Sequence, residues 1–302
     1  MDRRKFIRNV SLSSVALALS DNLVSSSIEG KQKKKLFVGA HVWVYAASQP
    51  GYDVSPILDQ IFSDMAYAGF DGVELMEKPL RSSVYTKQIK ELIEEHKIKL
   101  LGTSFGADMW DKSKHSQINE DVDLILTNLS SAGGRTFGVS VGKPSGRIKT
   151  ENELDNQADL LKKLIGMAEK KGIVLNLHNH TYEVENNMYD LRGTLKRIPD
   201  VKLGPDLNWL LRGGVDPIKF LREFRKQIVF THLRDQYSNG KWPESLGEGD
   251  VNFSEISDVF REIGYRGDVV IELAHENGFA PTRPLRESLK MSRDNLKKTM
   301  NI

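Results

Sequence analysis

Two histidines and a carboxylate follow one apolar run in the middle of this chain. The run Ile173–Leu177 ends in His178, Asn179 and His180, and Glu183 follows three residues later. Imidazoles at positions i and i+2 of an extended segment point to the same side. Imidazole binds metals and transfers protons near neutral pH. The stretch therefore predicts a metal site or a proton-transfer site, and the alternative is a pair of histidines that only pack at a strand end.

Three later apolar runs end in residues of the same chemical kind. Asp206 follows VKLGP, His232 ends IVFTH and Glu272 ends VVIE. Burying such groups without a partner is costly, and a shared divalent cation offsets that cost. Two imidazoles and two carboxylates suit Mn, Co, Zn or Mg, with positions left open for a substrate. We therefore predict a metal site made of His178, Asp206, His232 and Glu272.

The segments that must position these residues alternate between strand-like and helix-like patterns from Leu36 onward. The predicted strands are Leu36–Val44, Gly72–Met76, Leu100–Phe105, Thr136–Val141, Ile173–His178, Val201–Asp206, Ile228–His232 and Val269–Leu273. The predicted helices are Ser55–Ala68, Thr86–His96, Asn119–Ala132, Glu151–Lys171, Tyr189–Ile198, Asp216–Phe224, Phe253–Ile263 and Arg286–Met300. Eight β–α units of this spacing predict an α/β fold, a single (β/α)8 TIM barrel over residues 36–302.

The carboxyl ends of the strands of such a barrel surround one mouth, which would bring the four predicted ligands together. A doubly wound open sheet is the alternative fold. It normally has a G-x-G-x-x-G turn after its first strand, whereas Gly39 stands alone at that place. The barrel is therefore the favoured prediction.

Composition excludes several classes of function. The 302 residues carry 43 basic and 41 acidic side chains, a net charge of +2, which gives no electrostatic footprint for nucleic acid. The chain has no cysteine, so disulfides and thiolate sites are excluded. The length allows two average domains or one barrel of roughly 250 residues with extensions.

The amino terminus predicts export. Paired arginines at Arg3 and Arg4 precede the mild apolar run Val10–Leu19, which is too short to span a bilayer. Residues 1–30 resemble a twin-arginine export signal, and a basic amphipathic start is the alternative. Residues 31–35 (KQKKK) are predicted to be a solvated basic linker. We expect a periplasmic protein with no stable membrane anchor after signal removal.

Several short motifs resemble the xylose isomerase-like barrel superfamily, which is often labelled sugar phosphate isomerases/epimerases. The motifs are DGVELM (71–76), LHNHTYE (177–183), GPDLNW (204–209), THLRD (231–235), LGEGDVNF (246–253) and VIELAHE (270–276). Together the motifs cover most of the barrel, and they follow one another in the order found in that superfamily. The resemblance implies an enzyme that binds a divalent metal and abstracts a proton next to a carbonyl.

The resemblance also implies roles for individual residues. Epimerases of this superfamily hold the metal with Glu, Asp, His and Glu, and the last three match Asp206, His232 and Glu272. His178 departs from the first glutamate, which places the two-base scheme of those epimerases in doubt. The His-Asn-His run is similar to the dehydratase-like and keto-sugar-processing branches. The predicted catalytic residues are Glu272, His180 and His178, with Glu272 or His180 as the base.

Six further residues, which lie within or after predicted strands, are predicted to contact substrate. They are His41, Glu74, Lys143, Glu183, Trp209 and Arg234. The alternatives are a core-lining histidine, a rim carboxylate, a solvated lysine, a packed tryptophan and an arginine that pairs with a neighbouring carboxylate.

The leading prediction is an exported, metal-dependent isomerase or epimerase. Export argues for an unphosphorylated sugar or keto-sugar as substrate, because sugar phosphates are chiefly cytoplasmic. The first alternative is a 3-keto-glycoside lyase or hydratase that uses the same metal. The alternative from another class is a non-catalytic sugar-binding barrel. A DNA-repair nuclease is disfavoured by the near-neutral charge, and a homo-oligomer is compatible with the sequence.

Overall fold

The structure is a computed structural model and describes residues 36–302. Eight short parallel strands form the centre of this part of the chain. They are β1 (Val38–His41), β2 (Gly72–Met76), β3 (Lys99–Gly106), β4 (Thr136–Ser140), β5 (Val174–Leu177), β6 (Lys202–Leu203), β7 (Phe230–Leu233) and β8 (Asp268–Ile271). Their hydrogen-bonded order is β6-β5-β4-β3-β2-β1-β8-β7. Parallel bridges from Leu203 to Ile228 and from Asp206 to His232 link β6 to β7. The predicted TIM barrel is confirmed, and the predicted export signal and linker lie outside the described residues.

Helices on the outside of the barrel cover these strands. They are α1 (Trp43–Ala46), α2 (Leu58–Ala68), α3 (Ser83–His96), α4 (His115–Ser131), α5 (Glu151–Lys170), α6 (Thr181–Arg197), α7 (Leu207–Arg212), α8 (Pro217–Glu223), α9 (Phe253–Glu262) and α10 (Leu285–Met300). Within the described chain, no helix has the length and apolar character needed to span a bilayer.

Two apolar clusters fill the barrel and leave the polar side chains at its mouth. Most apolar side chains pack between strands and helices. A smaller cluster of Leu101, Phe230 and Val270, all buried, forms a separate group within the fold. Leu101 and Val270 lie on β3 and β8, before the carboxyl ends of those strands. The polar strand-end residues are therefore collected beyond this apolar layer, at the mouth.

The turn from β1 into the next segment comes earlier than predicted. Predicted strand residue Trp43 begins the short helix α1. Its backbone N–H donates to His41 Nδ1 over 3.1 Å, so the histidine side chain takes the place of a ladder partner. The strand consequently ends at His41 and places that side chain at the mouth.

Strand β6 is also shorter than predicted, and an unpredicted helix follows it. Pro205 has no N–H for a ladder, and Asp206 caps α7 by accepting from the backbone of Asn208 and Trp209. An added Cβ on Gly204 would lie 1.9 Å from Asn176 Oδ1, so only glycine fits there. Local capping and close packing thus override the strand pattern.

Candidate active site

Four side chains from successive strand ends come together at the mouth of the barrel. His178 follows β5, Asp206 follows β6, His232 lies in β7 and Glu272 follows β8. One ligand atom from each lies within 4.8 Å of the other three. All four residues are buried, with Asp206 fully inaccessible and His178 7% exposed. The arrangement that the strand ends predicted is present.

This cluster fits a divalent cation. It offers two imidazoles and two carboxylates, donors that such cations accept. His178 Nδ1 is buried without a hydrogen-bond partner, which is costly unless another group binds it. A metal held by His178, Asp206, His232 and Glu272 would satisfy that nitrogen and balance the two carboxylates.

Asp206 is held rigidly by its neighbours. Its Oδ1 accepts from the backbone N–H groups of Asn208 and Trp209, over 2.7 and 3.0 Å. Its own backbone N–H donates to Asn179 Oδ1 over 3.2 Å. The other carboxylate oxygen, Oδ2, lies 3.5 Å from Arg234. One oxygen therefore fixes the orientation of the side chain and the other remains for the cluster.

Glu272 is kept ionised by cations and histidines around it. Arg234 donates to its Oε1, and His232 Nδ1 and His41 Nδ1 lie 3.1 and 3.9 Å from its Oε2. Burial opposes ionisation, but Arg234, His41 and His232 outweigh it and hold the pKa of Glu272 well below its usual range. A carboxylate stabilised in this way is a good ligand and a weak base.

Glu74 does not line the cavity, contrary to the prediction of a substrate contact. It is 1% exposed and bonds His232 Nε2 on the side away from Glu272. Burial lowers the pKa of His232, but Glu74 and Glu272 more than compensate and raise it to about 10. Carboxylates placed behind a histidine commonly orient it toward a metal, and Glu74 has that position.

The two histidines of the His-Asn-His run are neutral. Burial, followed by the nearby His232 and His180, lowers the pKa of His178 well below its ordinary value. Burial lowers the pKa of His180 to about 4 despite the charge of Glu272. Ser140 Oγ donates to the backbone carbonyl of His178 over 3.1 Å and lies 3.0 Å from His180 Nδ1. With its one proton used, the serine accepts from His180 Nδ1–H, which leaves His180 Nε2 as a free base.

A cavity of about 550 Å³ opens over the cluster. Its lining residues are His41, Trp43, Ala47, Tyr52, Met76, Glu77, Ser104, Phe105, Gly106, Ser140, His178, His180, Trp209, His232, Arg234, Trp242, Glu272, His275, Glu276 and Asn277. His41, Trp209 and Arg234, which the sequence predicted to contact substrate, lie in this wall. His41 Nε2 also bonds Ser104 Oγ over 2.9 Å.

Lys143 and Glu183 are placed outside this cavity, which corrects both predictions of substrate contact. Lys143 is exposed and lines a separate depression, with its Nζ 5.4 Å from the ring centre of Tyr182. Glu183 is 4% exposed and accepts from the backbone of His180 and Val141, over 2.8 and 3.3 Å. Burial raises the pKa of Glu183 to about 8. Glu183 therefore positions the His-Asn-His turn from behind.

A family model described as xylose isomerase-like TIM barrel matches residues 62–295, most of the chain. This chain belongs to the xylose isomerase-like TIM barrel family. The resemblance drawn from the sequence motifs is thereby confirmed.

Relatives of this xylose isomerase-like barrel carry out more than one reaction. Inosose dehydratase from Clostridium tetani is 24% identical over 298 residues, which cover 86% of this chain and 95% of that protein. D-allulose 3-epimerase from Methylomonas sp. has a similar structure, with a TM-score of 0.71, 19% identity and coverage of 88% and 98%. The 3-keto-D-glucoside 4-epimerase YcjR from E. coli has a TM-score of 0.67, 19% identity and coverage of 89% and 100%. The similar proteins are thus enzymes named for two kinds of reaction, dehydration and epimerisation.

Three residues of this xylose isomerase-like site had no place in the sequence predictions. Ser104 lies two residues before the end of β3 and contacts His41, and Ser140 ends β4 and contacts His180. Both serines lie in the last residues of predicted strands, as the predicted metal ligands do. Serine is common at such positions, however, so its type alone does not indicate a functional site. His275 follows β8, lines the cavity, and has a buried Nε2 without a hydrogen-bond partner. It lies in the VIELAHE motif, three residues after Glu272.

Proposed function

We propose that this protein is a divalent-metal-dependent enzyme that abstracts the proton next to the carbonyl of an unphosphorylated sugar or keto-sugar, and that elimination of the β-substituent follows. The proposal favours the lyase alternative over the isomerase or epimerase that the sequence first suggested. The observation that carries it is the contrast between two candidate bases, His180 and Glu272.

The pKa values of both groups are lowered, so the contrast between them is one of access: His180 Nε2 is unbound, whereas both oxygens of Glu272 are engaged. His180 lines the cavity, is neutral at physiological pH and has a free Nε2. Arg234 binds Oε1 of Glu272, and His232 Nδ1 lies 3.1 Å from its Oε2, so neither oxygen is as free to take a proton as His180 Nε2.

A two-base epimerisation needs proton donors on both faces of the carbon. His275 also has an unbound nitrogen in the cavity, but it is the ring of His180 that lies 5.1 Å from that of His178 in the cluster. A single base beside the cluster suits elimination, in which a single proton leaves carbon.

Each side chain of the site has a separate role in the proposed reaction. A divalent cation at the four ligands would polarise the substrate carbonyl as a Lewis acid. His180 Nε2 takes the α-proton, the C–O bond to the β-substituent breaks, and the proton passes to the leaving oxygen. Glu74 and Asn179 hold His232 and Asp206 in place throughout. The products are an unsaturated keto-sugar and a hydroxyl compound, so atoms and charge balance.

The charge of the cavity supports an unphosphorylated substrate. Arg234 is the one lysine or arginine among its described lining residues, and Asp206 and Glu272 already neutralise it. Glu77 and Glu276 also face the cavity. Away from the cation at the cluster, a phosphate dianion would meet carboxylates and no free lysine or arginine. Inosose and D-allulose, named for two of the similar proteins, carry no phosphate.

The isomerase or epimerase outcome is the second candidate, because Glu272 lies in the same cavity as His180. Return of the proton to carbon would then compete with loss of the leaving group. The proposal also includes export to the periplasm, which rests on the pattern of residues 1–30. Fusing that segment to a reporter and following its translocation in a strain without twin-arginine transport tests this part.

The proposed reaction is tested by NMR in deuterated water with metal-loaded protein. The substrates are an inosose, a 3-keto-glucoside, D-allulose and D-fructose. A new vinylic signal together with a released hydroxyl compound is expected with one of the keto-sugars. Deuterium at one carbon of an intact skeleton would instead establish the isomerase or epimerase.

Two variants connect the result to the site. His180→Asn is expected to abolish the vinylic signal while metal content is kept. His96→Asn, a histidine on α3 outside the cavity, is the matched control and should react like the unchanged protein. Full turnover by His180→Asn, or no reaction with any of these substrates, would contradict the proposal.

A further inference from the structure

The cavity is larger than one sugar ring needs. A hexose has a volume of about six water molecules, roughly 180 Å³, whereas the cavity holds about 550 Å³. Its lining includes the polar side chains of His41, Ser104, Ser140 and His180, which contact the cluster or its neighbours. Apart from Phe105 on β3, its aromatic rings Trp43, Tyr52, Trp209 and Trp242 come from segments after the strands. These rings and the side chains of Glu77, Glu276 and Asn277 are among those that line the rest of the cavity.

Of the two aromatic pairs in the wall, Trp209 and Trp242 have little free surface for a ligand. Their rings meet edge to face at 5.8 Å between centres. The guanidinium of Arg212 lies 3.9 Å from the ring centre of Trp242, and that of Arg234 lies 4.9 Å from it. These cations already occupy the positions from which a ring would stack.

The second pair, Trp43 and Tyr52, presents an uncovered ring. The two side chains stack at 5.4 Å between ring centres with 26° between their planes. Tyr52 is 51% exposed although it is a large aromatic residue, and both residues line the cavity. Exposed aromatic faces at a sugar-sized cavity stack well on the apolar face of another ring.

The backbone holds Tyr52 in an unfavourable conformation. Gly51 and Tyr52 both have φ near +59°, in the left-handed region that a tyrosine rarely adopts. Lys78, which follows β2, donates to the carbonyl of Gly51. Strain of this kind in an exposed loop beside an active site commonly reflects a functional constraint.

This pair is also connected to the reacting end of the cavity. The backbone N–H of Trp43 donates to His41 Nδ1 over 3.1 Å, and that nitrogen lies 3.9 Å from Glu272. Trp43 and Tyr52 line the same cavity as His178, His232 and Glu272, so one ligand can extend from the cluster to a ring that stacks on this pair. That ring would be attached to the sugar whose carbonyl lies at the cluster.

We propose that Trp43 and Tyr52 form a subsite for a ring-shaped aglycone, and that the substrate is a keto-glycoside rather than a free monosaccharide. The inference rests on the proposed function for the identity of the first ring. In the elimination, the aglycone is the β-substituent: its C–O bond to the sugar breaks and it leaves as the hydroxyl compound. An aryl group and a second sugar share the required flat, apolar face.

The test measures binding without turnover, by calorimetry on the full protein with unoxidised glucosides. The probes are phenyl β-D-glucopyranoside, cellobiose and methyl β-D-glucopyranoside. We expect one or both ring aglycones to bind about five- to tenfold more tightly than the methyl glucoside. Preference for the phenyl compound alone identifies an aryl aglycone, and preference for both identifies any ring.

Variants assign the preference to the subsite. Tyr52→Ala should reduce the ratio of affinities to less than twofold, and Tyr52→Phe should keep it. Tyr67→Ala, which removes another half-exposed tyrosine on α2, is the control for loss of an exposed ring and should also keep it. Equal affinities in the unchanged protein, no binding of any probe, or a ratio unchanged by Tyr52→Ala would overturn the inference.

The outcome is separable from that of the proposed reaction. A ring preference that depends on Tyr52, found together with no elimination from keto-glycosides, overturns the proposed function alone. Elimination with equal affinities for the three probes overturns the subsite alone.

Discussion

The two halves of the barrel mouth contribute different kinds of side chain. Strands β5 to β8 end in the four residues that converge within 4.8 Å of one another. Strands β1 to β4 carry His41, Glu74, Ser104 and Ser140, which touch those residues or their neighbours rather than joining them. One half carries the residues that could hold a metal, and the other contacts those residues or their neighbours. A cluster of this kind therefore depends on side chains from the whole ring of strands.

The largest expected effect on metal affinity comes from the four residues that follow or lie in strands β5 to β8. Asp206→Asn should lower metal affinity by at least about 100-fold, because a neutral amide replaces a carboxylate ligand. The asparagine can still cap α7 through the same oxygen position, so the fold should survive. Metal content after dialysis, measured by mass spectrometry, checks this.

A matched control exists for that variant. Asp216 caps α8 by accepting from Ile218 and Lys219 and lies outside the cluster. Asp216→Asn should keep full metal content. Equal metal content in both variants would show that Asp206 is not a ligand.

The second largest effect on metal affinity is expected from strands β1 to β4, which carry Glu74. Glu74→Gln should weaken metal affinity by roughly 10- to 100-fold, because His232 loses the carboxylate that holds its ring and raises its basicity. Competition with a fluorescent chelator measures the change. Glu91→Gln, an exposed glutamate on α3, should have no effect. An unchanged affinity in Glu74→Gln would mean that the two halves act independently.

The pH dependence of metal binding sharpens the same comparison. Glu74 and Glu272 overcome burial and raise the pKa of His232 to about 10, so a metal must displace a proton from it at neutral pH. Affinity should therefore rise about tenfold per pH unit between pH 6 and 8. Glu74→Gln should flatten that slope, and a slope that is the same in both proteins would contradict the assignment.

The same raised pKa has a consequence for the metal-free fold. Protonated His232 stabilises the folded state fully below its unfolded pKa of about 6.5, and this contribution is lost as pH rises toward 10. Metal binding thus becomes stronger over the pH range in which this contribution weakens. Thermal unfolding with a chelator present, at pH 6 and pH 9, measures the loss.

The smallest expected effect concerns Ser140. Ser140→Ala removes the acceptor for His180 Nδ1–H and should shift the ring toward the other tautomer, while metal affinity changes less than about twofold. Nitrogen chemical shifts of the histidine ring report the tautomer. Ser131→Ala, a serine at the end of α4, is the control. An unchanged tautomer in Ser140→Ala would show that this half does not set the state of the base.

Prediction from sequence succeeded where a local pattern carries the information. Each donor ends an apolar run, and strands of a parallel barrel are obliged to bring their carboxyl ends together. Prediction failed where a residue's contact partner lies far away in the sequence. Glu74 bonds His232, 158 residues away, so nothing near Glu74 distinguishes it from a rim carboxylate. Lys143 looked like a strand-end residue, but its loop directs it to another surface.

The sequence by itself determined the barrel, the family and the four residues of the cluster, because hydrophobic periodicity and strand-end chemistry are local properties. Only the tertiary structure decided the protonation of those residues and the roles of their neighbours. Both depend on burial and on charges contributed by other strands. The same holds for the stacked pair Trp43 and Tyr52: each is an ordinary aromatic residue in the sequence, and only the folded loop places one exposed ring at the mouth.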